Sequence, residues 1–158
     1  MLHAVFPGTF DPPTFGHLNI IERAAPLFEK LTVLIAENRQ KRQLLTPAER
    51  LALLTEMLEP WAAVSVALCD SLVVQFMQEQ GARVIVRGVR TITDFAYEAE
   101  VAAVNRLLNP ALETFFMLAD TRYGAISSSA VKEIVAFGGD VSGMVAPPVL
   151  ATLHRKGL

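Results

Sequence analysis

Short apolar runs alternate along the chain with longer stretches in which apolar residues recur every three or four positions. The runs cover 2–6, 31–36, 64–68, 84–86 and 114–118 and are rich in Val, Ile, Leu and Phe. They do not alternate strictly with polar residues, the pattern of strands covered on both faces. The intervening stretches carry helix boundaries. Thr46-Pro47-Ala48-Glu49 combines an N-cap, a proline at the first helical position and a glutamate that closes a capping box. Asp70 is the candidate cap of a helix ending near Gly81, and Thr93 or Asp94 opens a long helix that Asn109-Pro110 must stop. Ser127 to Ser129 precede a further helix, closed by Gly138-Gly139. Pro26 falls inside the first helical pattern and predicts a kink or an early end there.

Strands and helices alternating at such short spacing predict a parallel sheet with right-handed crossovers. The fold class is α/β: a doubly wound, Rossmann-like domain with a five-stranded parallel sheet and a small C-terminal helical appendage. At 158 residues the chain fits one domain, 1–158. Ligands of such folds bind beyond the carboxyl ends of the strands, so function belongs in the loops that follow them. A hydrophobic content of 52% with 19% charged residues excludes a disordered chain. A net charge of −2 argues against a basic nucleic-acid-binding surface. The lone Cys69 excludes a disulfide framework and a four-cysteine zinc site. No apolar run approaches the ~20 residues of a membrane span, and the first residues lack the basic and apolar regions of a signal peptide. The expectation is a cytoplasmic protein without membrane or nucleic-acid partners.

The loop after the first strand, Pro7-Gly8-Thr9-Phe10-Asp11-Pro12-Pro13-Thr14-Phe15-Gly16-His17, occupies the phosphate-binding position of a doubly wound fold. It is neither a G-x-G-x-x-G nor a P-loop. It offers a glycine for close approach, the Thr9 hydroxyl, and Gly16-His17 at a helix start, where N–H groups favour a phosphate and a histidine can add a donor. Taken alone, the same residues describe a stiff turn with a capping histidine.

Gly8-Thr9-Phe10-Asp11 with Thr14-x-Gly16-His17 resembles the signature of nucleotidyltransferases that carry a T/H-x-G-H motif. Arg87-Gly88-Val89-Arg90, Asp94-Phe95-x-Tyr97-Glu98 and Ile126-Ser127-Ser128-Ser129-x-Val131-Lys132-Glu133 extend the likeness to the bacterial phosphopantetheine adenylyltransferase family, in order and spacing, over nearly the whole chain. Pro13 and Phe15 depart from its usual pattern at the rim of the pocket.

The resemblance implies adenylyl transfer from ATP to 4′-phosphopantetheine, giving dephospho-CoA and pyrophosphate. It makes His17 the catalytic residue, donating to the α-phosphate. Thr9, Lys41, Val73 and Arg87 are implied on the phosphopantetheine side. Thr9, Phe10, His17, Gly88, Val89, Arg90, Glu98, Tyr123, Gly124, Ala125, Ile126, Ser127, Ser128 and Ser129 are implied on the ATP side. It also implies magnesium on the polyphosphate with no dedicated protein metal site, a homohexamer, and coenzyme A as a feedback inhibitor. Blander readings stand beside these: a solvated charge run for the Lys41 loop, core packing for Val73, a surface carboxylate for Glu98 and ordinary capping for the serines. Asp11 is read as a loop-bracing carboxylate, with a metal contact as the alternative. Two other readings compete. One is a same-fold glycerol-phosphate cytidylyltransferase or nicotinamide mononucleotide adenylyltransferase, which the later motifs disfavour. The other is a non-catalytic nucleotide-binding regulator, against which the presence of both Thr9 and His17 weighs.

Overall fold

A computed structural model of the chain describes residues 2–37 and 42–158. Five strands form one sheet: β1 (His3–Gly8), β2 (Lys30–Ala36), β3 (Val64–Cys69), β4 (Val84–Val89) and β5 (Glu113–Leu118). Their order is β3-β2-β1-β4-β5 and every pairing is parallel. The helices are α1 (Phe15–Ala24), α2 (Pro47–Leu58), α3 (Val73–Glu79), α4 (Ile92–Leu108), α5 (Ser128–Ala136) and α6 (Pro147–Arg155).

Side chains of a strand point alternately to the two faces, and here both faces are covered. On β1, Ala4 and Phe6 join Ile20, Ile21, Val33 and Leu54 beneath α1 and α2, whereas Val5 joins Leu34, Met77 and Ile85 beneath α3. This accounts for runs that are apolar throughout rather than alternating. A third apolar cluster, built from Leu53, Val131, Val135, Val149 and Leu153, packs α6 against α2 and α5. The C-terminal appendage is thus an added layer on the helices.

Several boundaries differ from those read off the pattern. β4 continues through Arg87, Gly88 and Val89, hydrogen-bonding in register with Phe116, Met117 and Leu118 of β5, so Arg87 projects from the strand itself. Thr91, not Thr93 or Asp94, caps α4, its hydroxyl accepting from the Asp94 N–H at 3.0 Å. Asp70 caps nothing: α3 starts after Leu72, whose N–H donates to the Gln75 side chain at 3.4 Å. The first helix stops at Ala24 and tightens into a 3-10 turn, Ala25–Leu27, that accommodates Pro26. Gly138 takes φ +71° after α5, and the Gly139 N–H donates to the Ile134 carbonyl at 2.9 Å, the expected helix closure.

Candidate active site

Strand order runs outward in both directions from β1, and the crevice between the carboxyl ends of β1 and β4 is the switch point at which ligands of open α/β sheets bind. A cavity of about 470 Å³ opens there. Its walls are the loop after β1, the first turns of α1, the end of β4, one side of α4 and the start of α5.

His17 is the third residue of α1 and completes a capping box with Thr14. The Thr14 hydroxyl accepts from the His17 backbone N–H, and the Thr14 N–H donates to Nδ1 of the His17 ring at 3.1 Å. An Nδ1 that accepts a hydrogen bond carries no proton, so the neutral ring holds its proton on Nε2. Burial, then the charges of Arg90 and Arg87, lower its pKa from 6.5 to about 4. Near neutral pH, His17 is therefore a neutral donor on the cavity wall. Phe10 backs it edge-on, with ring centroids 4.9 Å apart. The Phe10 backbone adopts φ +49°, a conformation rare outside glycine, which turns its ring inward until it is 1% exposed. That ring also fills the space above Gly8, where an added Cβ would lie 3.0 Å from it.

Opposite His17 stand two arginines, each held by a carboxylate of α4. Arg87 donates from Nε and Nη2 to the two oxygens of Glu98, at 2.6 and 2.5 Å, and from Nη1 to the Pro7 carbonyl at 2.6 Å. Glu98 is thus buried and paired with Arg87 at the cavity wall, which is not the surface carboxylate of the blander reading. Arg90 donates to Asp94 at 3.0 Å and to the Ile126 carbonyl at 3.3 Å, spanning the gap between α4 and the segment before α5. Gly88 matters for packing, since a Cβ there would come within 3.0 Å of Ile20 Cγ1 on α1.

The far wall is the N-terminus of α5. Ser127 caps it by accepting from the Ala130 N–H at 3.0 Å, and the Ser128 hydroxyl donates to the Pro12 carbonyl at 2.8 Å. The first two N–H groups of this helix, on Ser128 and Ser129, lie on residues that line the cavity, where the helix end favours an anion. Asp11 lies behind the site, 2% exposed, accepting from the N–H groups of Leu44 and Leu45 and paired with Lys132. It braces the loops, as expected from the sequence.

Of the residues singled out in the sequence, Thr9, Phe10, His17, Arg87, Gly88, Arg90, Glu98, Tyr123, Ile126 and Ser127 to Ser129 line one cavity. Val89 is buried in the sheet, and Val73 packs on the apolar cluster beneath α3; neither is on the wall, and neither are Gly124 and Ala125. Lys41 lies outside the described residues. Thr14 and Asp94 line the cavity without having been singled out as binding residues. Thr14 could have been found from its spacing to His17, which is that of a capping pair.

A sheet that turns back above a helix N-terminus, with a neutral imidazole facing two guanidinium groups, has the fold and site of a nucleotidyltransferase. The cytidylyltransferase-like family matches residues 5–134. A phosphopantetheine adenylyltransferase of Lacticaseibacillus casei is 46% identical over 97% of this chain and 92% of its own length. Another from Treponema pallidum is 49% identical over 98% of both chains. The chain belongs to the phosphopantetheine adenylyltransferase family. Its fold also matches a solved structure from Vibrio parahaemolyticus, provisionally assigned as a nicotinate-nucleotide adenylyltransferase, with a TM-score of 0.72 at 17% identity over 99% of this chain and 94% of the other.

Proposed function

We infer that this chain transfers the adenylyl group of ATP to 4′-phosphopantetheine, forming dephospho-CoA and releasing pyrophosphate. The observation that carries this reading is His17, locked by Thr14 as an Nε2–H donor and kept neutral by burial and by Arg87 and Arg90. An oxygen of the acceptor phosphate attacks the α-phosphorus of ATP. The bond from that phosphorus to the β-phosphate oxygen breaks, and pyrophosphate leaves with the electron pair. Both phosphates are already ionised, so the step requires no general base. A group with a pKa of about 4 would be a poor one. What the step requires is a donor placed where charge grows on the α-phosphate, which suits His17. The N-terminus of α5 suits the β- and γ-phosphates. Thr9, at the end of β1, suits a bridging position between the two substrates.

Carboxylates beside the cavity already have partners: Asp11 with Lys132, Glu98 with Arg87 and Asp94 with Arg90. Magnesium therefore fits as a companion of the nucleotide, held by polyphosphate oxygens and water. Lys41 remains the proposed anchor of the acceptor phosphate. Coenzyme A, which contains both the pantetheine arm and the adenylyl group, is the proposed feedback inhibitor at the same crevice.

A homohexamer is proposed as the working assembly. Among the residues of α4, only Glu98 is buried. Ile92, Phe95, Val104, Leu107 and Leu108 of α4 are exposed, as are Phe115 and Leu118 of the edge strand β5, and subunit contacts would cover such apolar side chains. Among the described residues no helix is long and apolar enough to cross a membrane, and the cytoplasm is the proposed site of action. Pyrophosphate release tests the function: ATP with phosphopantetheine should far exceed CTP with glycerol phosphate and ATP with nicotinamide mononucleotide. Light scattering should give the mass of six subunits, and a fully active monomer would refute that assembly.

A further inference from the structure

A fully buried arginine lies behind the active site and is not itself part of the cavity wall. Arg50, on the inner face of α2, is 0% exposed. Its Nη1 donates to the Thr9 carbonyl at 2.7 Å. Its Nη2 donates to the Gln43 side chain at 3.0 Å and lies 3.8 Å from a carboxylate oxygen of Glu37. Its Nε is buried without a partner among the described residues. A packed helix face has no need of such a group. An apolar side chain of similar volume would fill the space without desolvating a charge or leaving an N–H unpaired. The partners Arg50 reaches are also specific. Thr9 immediately precedes Phe10, whose positive φ turns the chain beneath His17. Glu37 and Gln43 flank, in sequence, the segment that contains Lys41.

We propose that Arg50 is a positioning residue for adenylyl transfer. Its planar fork ties the Thr9 carbonyl, at the end of β1, to the residues that border the acceptor-binding segment after β2. The inference rests on the function proposed above, in which Thr9 bridges the two substrates. Arg50 thereby sets the distance between attacking oxygen and α-phosphorus without touching either substrate. Reaction rates are steep in that distance, whereas the affinity of each substrate taken alone is not. Loosening the fork should lower kcat and leave the binding of ATP nearly intact.

Two variants test this. Arg50→Lys keeps a cation and most of the stem but loses the fork; Gln43→Ala removes one anchor of the fork from a half-buried site. For both, kcat and KM would be measured with MgATP and phosphopantetheine, ATP affinity by calorimetry, and folding by thermal unfolding. Arg50→Lys should lower kcat about tenfold or more, and Gln43→Ala about threefold, with ATP affinity within about twofold of wild type. A folded Arg50→Lys with wild-type kcat, or one that loses rate and ATP affinity by the same factor, would overturn the proposal. Were Arg50→Lys unfolded at the assay temperature, Gln43→Ala would decide alone, and an unchanged kcat would be fatal. A wild-type protein that makes no dephospho-CoA would sink the proposed function instead. In that case the amides decide: Arg50→Lys should hasten hydrogen exchange at Thr9 and Phe10 but not in α6, and unaltered exchange would refute the tether.

Discussion

Replacing His17 by asparagine and, separately, by glutamine separates the two jobs of the imidazole. Asparagine places an oxygen where Nδ1 was, so it can still accept from the Thr14 N–H that the ring now receives at 3.1 Å. It supplies nothing at the position of Nε2. Glutamine reaches the Nε2 position with an amide donor but loses the acceptor that Thr14 uses. Both variants forfeit the edge-on contact with Phe10, about 0.5–1.5 kcal/mol. The Thr14 hydroxyl still caps the backbone N–H of residue 17 in both variants; only glutamine, with its amide at the Nε2 position, also loses the bond from the Thr14 N–H, about 0.5–1.5 kcal/mol. For a chain of this length each kcal/mol shifts Tm by about 2–4 °C, so the glutamine variant should melt about 1–6 °C below the asparagine variant. The rates should rank the other way. Loss of one aligned donor to a charge-developing oxygen costs about 10²–10³ in rate, roughly 3–4 kcal/mol. His17→Asn should fall by that factor while binding ATP normally, and His17→Gln should recover part of it. Single-turnover rates, calorimetric ATP binding and thermal unfolding on both variants give the comparison. An asparagine variant within tenfold of wild type, or one both slower and less stable than the glutamine variant, would refute the role assigned to Nε2–H.

The charge state of His17 gives a second expectation. Its folded pKa of about 4 lies below the ordinary 6.5, so the unfolded chain takes up a proton first as pH falls. The stability this group contributes is complete above pH 6.5, declines as pH drops toward 4 and changes no further below that, amounting to at most about 3 kcal/mol. An NMR titration of the ring should show it essentially neutral from pH 8 to 6 and still mostly neutral at pH 5, and His17→Asn should flatten the dependence of Tm on pH between 6.5 and 4. Asp11→Ala would strand the Leu44 and Leu45 N–H groups and Lys132, with an expected loss of about 3–5 kcal/mol by denaturant unfolding. Gly88→Ala should cost about 1–3 kcal/mol by pressing on Ile20, and Ile20→Val in the same chain should restore part of it. Lys41→Ala should raise KM for phosphopantetheine much more than KM for ATP in steady-state assays, and the opposite bias would remove Lys41 from the acceptor site.

The fold class was legible because helices and strands bury side chains with different periods, and both periods are written locally. The apolar runs marked all five strands, and the capping box at Thr46 and the glycine pair after α5 set ends that local hydrogen bonds enforce. The motifs marked most of the cavity wall as well, because Gly8 to His17 and Ile126 to Ser129 lie where strands end and helices begin. What sequence could not settle was how side chains from distant elements share partners. Arg87 lies within β4 because hydrogen bonds to β5 extend the strand, and Glu98 is buried because that strand aims Arg87 at it. Either residue alone read as exposed charge. The tautomer and depressed pKa of His17 depend on one local bond to Thr14 but also on burial and on Arg90 and Arg87, seventy or more residues away in the chain. Arg50 was invisible for the same reason. On its helix it is one more charged residue in an amphipathic pattern, and only the packing of α2 beneath the end of β1 turns it inward onto the Thr9 carbonyl. Periodicity and capping act over a few residues and can be read from the chain, whereas ion-pair partners, burial and proton placement are set by contacts that exist only once the sheet has assembled.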